Sequence, residues 1–244
     1  MILECCVNSS ISAIEAQKGG ADRVELCENL HDGGTTPSAG SIRFARKNLH
    51  IGLFVMIRPR GGDFLYSPAE FEIMKEDICV AKEFGANGVV FGILMPDGMI
   101  DKKRMKELID LARPMGVTCH RAFDMTSNPF KALEDLADLG VDRILTSGQQ
   151  KTAPDGVGLI KELISRSHGR IIIMPGGGVK EHNFAALIRA TGATEVHIHL
   201  EKQEPSKMDF KQLSVSMGKS DHSEFEHTLT DWKKISKVRG TKYF

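Results

Sequence analysis

Four short stretches of this 244-residue chain are near copies of one another: Gly20-Ala-Asp-Arg-Val24, Gly85-Ala-Asn-Gly-Val89, Gly140-Val-Asp-Arg-Ile144 and Gly192-Ala-Thr-Glu-Val196. Each follows an amphipathic helical segment and opens an apolar run. Glycine at such a junction suits a helix C-cap, where a positive φ costs it nothing. The copies start 65, 55 and 52 residues apart. One strand–helix unit takes roughly half that length, so the copies mark alternate strands of a longer β/α series.

Filling in the intervening strands gives eight: Ile2–Val7, Arg23–Cys27, Ile51–Ile57, Gly88–Gly92, Val117–His120, Arg143–Thr146, Arg170–Met174 and Glu195–Leu200. Helical segments alternate with them, with cap residues at Ser38, Ser67, Asp101 and Asn128 and first-turn prolines at Pro68 and Pro129. The expected fold is α/β, a single (β/α)8 TIM barrel over residues 1–244. A segment at about 201–229 reads as irregular, and a closing C-terminal helix follows with an apolar stripe through Trp232, Ile235 and Val238. A doubly wound open sheet would call for a dinucleotide or phosphate-loop glycine fingerprint, and the chain carries neither.

Thirty-two basic and 32 acidic residues cancel, which argues against a nucleic-acid backbone or an anionic membrane as partner. No apolar stretch reaches the length of a membrane span, and the strand-like Ile2-Leu-Glu-Cys-Cys-Val7 follows Met1 directly, so a cytoplasmic protein is expected. Five cysteines, an odd number set mostly in apolar strands, fit reduced thiols better than a disulfide framework. Cys5 and Cys79 read as packing, Cys79 within the apolar stripe of its helix.

In a barrel the reactive groups gather where strands end. Those ends supply Glu4 and Cys6, Glu25 and Cys27, Arg58 and Arg60, then His120, Arg121 and Asp124, then Ser147, Gly176 to Gly178, and His197 with His199. Side chains alternate faces along a strand, so Glu4 with Cys6 and Glu25 with Cys27 point inward once Leu3, Cys5, Val7, Val24 and Leu26 face the helices. A bland use for the acids is an ion pair of Glu4 or Glu25 with Arg58 that braces the barrel floor.

Longer motifs narrow the field: Gly19-Gly-Ala-Asp-Arg-Val-Glu-Leu-Cys27, Gly33-Gly-Thr-Thr-Pro-Ser38, Ile57-Arg-Pro-Arg-Gly-Gly-Asp63, Cys119-His-Arg-Ala-Phe-Asp124, Leu145-Thr-Ser-Gly148 and Gly176-Gly-Gly-Val179. With these the chain resembles the CutC family over nearly its whole length. The resemblance implies a cytoplasmic TIM barrel linked to copper homeostasis, assembled as a homodimer or higher homo-oligomer, with Cys6 and Cys27 as ligands of Cu(I). Two places depart from the family pattern: Val196-His-Ile-His-Leu200 at the last strand, and the tail beyond Glu201.

Two thiolates on adjacent strands, which lie roughly 4.8 Å apart, can meet one soft ion. The competing reading is an enzyme acting on a small anionic, phosphorylated metabolite. Arg58, Arg60, Arg121, Ser147, His197 and the amides of Gly176, Gly177 and Gly178 would bind the anion. Glu4, Glu25, His120 and Asp124 would move protons, His120 having an ordinary pKa of about 6.5. Met56, Met95 and Met174 read as core, and Phe64-Leu-Tyr66 reads as an exposed apolar cluster suited to a dimer interface, the alternative being that it folds down as a lid over the pocket.

Overall fold

The computed structural model describes residues 1–215, 217 and 223–241. Eight parallel strands carry the fold: β1 (Ile2–Val7), β2 (Arg23–Leu26), β3 (Gly52–Met56), β4 (Gly88–Phe91), β5 (Gly116–Cys119), β6 (Arg143–Thr146), β7 (Ile172–Pro175) and β8 (Glu195–Ile198). They pair in the order β7-β6-β5-β4-β3-β2-β1-β8, and β7 packs against β8 to bring the sheet round into a barrel. Seven helices connect them: α1 (Ser10–Lys18), α2 (Ala39–Asn48), α3 (Pro68–Glu83), α4 (Lys102–Ala112), α5 (Pro129–Asp138), α6 (Val157–Ser167) and α7 (Phe184–Thr191). No helix among the described residues is long and apolar enough to cross a membrane.

The repeated motif is a staple between strands. Its glycines, Gly20, Gly85, Gly140 and Gly192, sit at φ of 91°, 78°, 79° and 74°, the turn that only a residue without Cβ enters cheaply. In the first three copies the third residue then grips the preceding strand twice. The amides of Asp22, Asn87 and Asp142 donate to the carbonyls of Leu3, Leu53 and Val117. Their side-chain oxygens accept from the amides of those same three residues, at 2.8, 2.9 and 2.7 Å. An arginine bonds each side chain from outside: Arg239, Arg46 and Arg113. Every even strand from β2 to β6 is thus pinned to its odd neighbour, which is why the copies recur two strands apart.

The fourth motif residue faces the barrel axis and forms its floor: Arg23, Gly88, Arg143 and Glu195. Arg23 binds both Glu4 and Glu195, and Arg143 binds Glu195 at 3.1 Å. Phe54 fills the space between them, with the two guanidinium groups 4.8 and 5.0 Å from its ring centroid. Gly88 has to be glycine: a Cβ there would stand 2.4 Å from that ring. The expected brace of Glu4 or Glu25 to Arg58 is therefore replaced. Arg23 and Arg143 hold the floor acids, while Arg58 lies at the other end of β3 and bonds to loop carbonyls.

Other expectations also shift. The segment expected to be irregular carries an antiparallel hairpin at its two ends, β9 (Glu201–Pro205) and β10 (Glu226–Thr230). Its strands are mostly polar and show no apolar alternation, so no period marked them. The hairpin is tied to the barrel through Asn8 and Ser12. It leads into α8 (Trp232–Gly240), which buries Ile235 and Val238 against α1 as the closing helix. Helix α7 begins at Phe184 because Asn183 folds residues 180–183 into a turn, accepting from the Lys180 amide and donating to the Gly178 carbonyl. Cys79 is exposed, not core; the buried stripe of α3 runs through Phe71, Met74, Ile78 and Ala81. The 64–66 cluster folds inward: Tyr66 is 3% exposed, and only Leu65 remains open.

The floor makes a stability test. Arg23→Met leaves Glu4 and Glu195 buried with their shared cation gone, and removing one partner of such a network costs about 3–5 kcal/mol. Chemical denaturation should show a loss of that size. A loss below about 1 kcal/mol would mean that the network is not stabilising.

Candidate functional site

Above the floor, inward side chains stack in layers drawn from alternate strands. Glu4, Phe54, Thr118 and Met174 come next, then Glu25, Val90, Leu145 and His197, then Cys6, Met56, His120 and Gly176. Six groups of the upper two layers, Glu25, Leu145, His197, Cys6, Met56 and His120, with Arg58, Phe64 and Arg121 from the loops, line a cavity of about 220 Å³ at the C-terminal end of the strands. A larger groove of about 660 Å³ lies between the hairpin and the rim beside His199 and Glu201. It holds none of these inward groups, so the smaller cavity is the candidate site.

Cys6 and Cys27 stand with their sulfurs 3.5 Å apart, buried in a cluster with Phe54, Met56 and Val90. A carboxylate oxygen of Glu25 lies within 4.8 Å of both. The hydrogen bond to Cys27, reinforced by burial, pushes the Cys6 thiol well above its usual range. The same contact pulls the Cys27 thiol down, but burial and the acids Glu25 and Glu4 leave it raised. Both are thiols in the free protein, and an ion that binds them must displace protons.

Beneath the sulfurs runs a chain of charges. His197 Nδ1 meets Glu4 Oε1 at 2.8 Å, and Nε2 stands 3.8 Å from Glu25 Oε2. Burial alone would lower the His197 pKa, but Glu25, the Cys6 contact and Glu4 lift it well above 6.5, so it is an imidazolium. Burial would raise Glu4, yet His197 and Arg23 hold it at about 2. Glu25 shifts the other way, raised chiefly by burial and then by Glu4 against the pull of His197. Its Oε1 is buried with no hydrogen-bond partner.

His120 is the opposite of His197. It is 3% exposed, and its Nδ1 accepts from the Ala122 amide at 3.2 Å, so the ring proton sits on Nε2. Burial, and then the nearby Arg58 cation, push its pKa down to about 3. The Nε2 atom has no hydrogen-bond partner among the described residues, and the Phe64 ring stands 4.9 Å away, centroid to centroid. Sequence reasoning offered His120 as a proton shuttle near pH 6.5. The structure instead gives a neutral imidazole that donates from Nε2.

The remaining candidates separate. Arg121 lines the cavity, but its Nε pairs with Asp124 at 2.7 Å and it donates to Ser147 Oγ. Asp124 is saturated: it accepts from the Ser147 and Gln149 amides and from the hydroxyls of Thr146 and Ser147. It therefore shapes the loop after β6. Arg60 clasps its own loop through Glu70 and the Asp63 and Leu65 carbonyls, away from the cavity. The Gly176 amide donates to the Thr146 carbonyl, and Gly177 packs against Arg121, so the glycine turn and the cavity are separate features. His199 bonds the Cys6 carbonyl and Glu201 at the outer groove. Sequence reasoning passed over Arg23, Arg143 and Glu195, although all three occupy the same position of the repeated motif.

Residues 1–202 match the model of the CutC family. A mouse protein named "Copper homeostasis protein cutC homolog" is 49% identical over 98% of this chain and 87% of its own length. A CutC protein of Parabacteroides distasonis is 52% identical over 96% of this chain and 97% of its own. The crystal structure of a CutC protein from Streptococcus agalactiae superposes with a TM-score of 0.77 at 37% identity, over 81% of this chain and 97% of that one. A thiamine phosphate pyrophosphorylase from Pyrococcus furiosus, at TM-score 0.58 and 14% identity over 98% of this chain and 93% of that one, shares the fold alone.

The two histidines predict opposite spectra. Nitrogen NMR of histidine-labelled protein at neutral pH should show His120 neutral with its proton on Nε2, and His197 doubly protonated. The sign for stability follows from the depressed His120 value. Its contribution is fully present above the unfolded value of 6.5 and is lost as pH falls toward 3. His120→Phe should therefore lose less stability than the parent between pH 7 and about pH 4.5; an equal loss would mean that His120 titrates normally.

Proposed function

The chain belongs to the CutC family, and from that premise we propose that it binds Cu(I) as cargo between Cys6 and Cys27. One observation carries the reading: two buried sulfurs stand 3.5 Å apart, and one of them, Cys6, lines a cavity at the C-terminal end of the barrel strands. Thiolate–metal bonds are about 2.3 Å long for zinc, so two sulfurs on one ion of similar size stand no more than about 4.6 Å apart. The observed spacing lies within that limit.

The donor set supports Cu(I). Two soft sulfurs favour Cu(I) over magnesium or calcium, which want oxygen, while a structural zinc site wants four ligands. The three-residue group here offers two sulfurs and one carboxylate. A Cu(I) ion held by two thiolates carries one net negative charge. The His197 imidazolium beside Cys6 is placed to balance it. The apolar neighbours Phe54, Met56 and Val90 keep water from the sulfurs.

Anaerobic competition with a chromophoric Cu(I) chelator should show one tightly held ion per chain. That ion should be lost in the Cys6→Ser, Cys27→Ser double variant and kept in Cys79→Ser, whose thiol is exposed on α3. Unchanged uptake by the double variant would sink the proposal. We propose further that the chain forms a homodimer through a face other than the 64–66 loop, since that loop is turned inward. Light scattering giving a mass near 26.9 kDa would rule against a dimer.

A further inference from the structure

We infer that the upper part of the cavity is a binding site for a small organic carboxylate, its charge facing Arg58 and one of its oxygens accepting from His120 Nε2. This site goes beyond Cu(I) binding, and its two anchors, Arg58 and His120, are not members of the Cys6, Glu25, Cys27 group.

The first observation is a buried cation without a counter-ion. Arg58 is 5% exposed, and no carboxylate pairs with it among the described residues. Its amino groups end on the carbonyls of Asp32, Gly34 and Gly62, which satisfy hydrogen bonds and leave the charge uncompensated. The other inward guanidiniums differ. Arg23 has Glu4 and Glu195, Arg143 has Glu195, and Arg121 has Asp124.

The second observation is independent of charge. His120 Nε2 is buried with no hydrogen-bond partner among the described residues, while the Nδ1 contact fixes the proton on it. A donor sealed from water without an acceptor is expensive, and native structures keep few of them. Glu25 Oε1, in the lining of the same cavity, is the reverse case, a buried acceptor without a donor among the described residues. Phe64 stands against both Arg58 and His120, at 5.1 and 4.9 Å, so the loop after β3 supplies the cover. A neutral histidine that donates to a developing or resident oxygen charge is a known use of this side chain.

Size and lining fix the class of ligand. A volume of about 220 Å³ is roughly seven waters at about 30 Å³ each, which suits a molecule of a few carbons and excludes a nucleotide. Between the polar atoms the wall is Met56, Phe64 and Leu145. One uncompensated cation calls for one negative charge, and the apolar wall calls for a carbon body. A monocarboxylate meets both demands, where inorganic phosphate at neutral pH brings more charge and no apolar surface.

Isothermal titration should use acetate, glycolate and pyruvate as probes, with acetamide as the uncharged control and inorganic phosphate as the rival anion. At least one carboxylate should bind saturably and shift the His120 Nε2–H resonance. Acetamide and phosphate should do neither. His120→Phe should weaken that carboxylate about tenfold or more, the scale of a hydrogen bond to a charged group. Arg58→Gln tests the charge, and because it also loosens the loop carbonyls, His120→Phe is the deciding variant. The Cys6→Ser, Cys27→Ser variant should keep the carboxylate and lose Cu(I), and His120→Phe should do the reverse, so either reading can fail alone. No saturable binding by any of the three carboxylates, equal binding of acetamide, a preference for phosphate, or unchanged affinity in His120→Phe would each overturn the inference.

Discussion

Arg23 is the group on which the rest of the interior depends. One buried guanidinium neutralises Glu4 and Glu195 together, and Glu195 in turn holds Arg143. Burying that much charge is tolerable only when every member is paired. The consequences travel upward. His197 and Arg23 keep Glu4 ionised, Glu25 and then Glu4 lift His197, and the His197 cation sits beside Cys6 and Glu25. The electrostatic setting of the sulfur pair is therefore influenced from the floor, three layers below Cys6.

Much of the fold was legible because the staple is local. A glycine that turns the chain, an Asp or Asn that grips the neighbouring strand and an apolar run that enters the barrel all fall within five residues. Alternation then placed Glu4, Cys6, Glu25 and Cys27 on the inside without long-range information. Arg23, Arg143 and Glu195 escaped notice because charge at the start of a strand looks like solvated turn sequence. Their burial comes from converging on one axis, which no single segment reveals. The hairpin was illegible for a different reason: a mostly polar strand on the barrel's outside has no buried face to impose a period.

The candidate site shows the same division. Strand positions were readable, and loop positions were not. Ladder register sets Cys6 opposite Glu25, and Cys27, two residues further along on the same face, reaches Cys6 on the diagonal. Asp124 and Arg60 sit in motifs that look reactive, yet the structure uses both to hold loops in shape. Sequence shows that an acid or a base is present near a strand end. It does not show how many amides and hydroxyls have already claimed it.

The contrast between His120 and His197 bears on any chemistry the cavity performs. Both are buried, and burial alone would make both neutral. Glu4 and Glu25 reverse that for His197, whereas Arg58 reinforces it for His120. A His120 whose Nδ1 is occupied and whose Nε2 bears the proton has no lone pair to offer as a base. A reaction in this cavity would use it to polarise a carbonyl or carboxylate oxygen, with any proton removed by another group. The interior thus places a thiol pair beside a fixed cation on the β1–β2 side, and on the β3–β5 side a neutral donor beside a guanidinium with no carboxylate partner among the described residues. Those environments suit a soft metal ion and an oxyanion respectively, and they meet in one cavity.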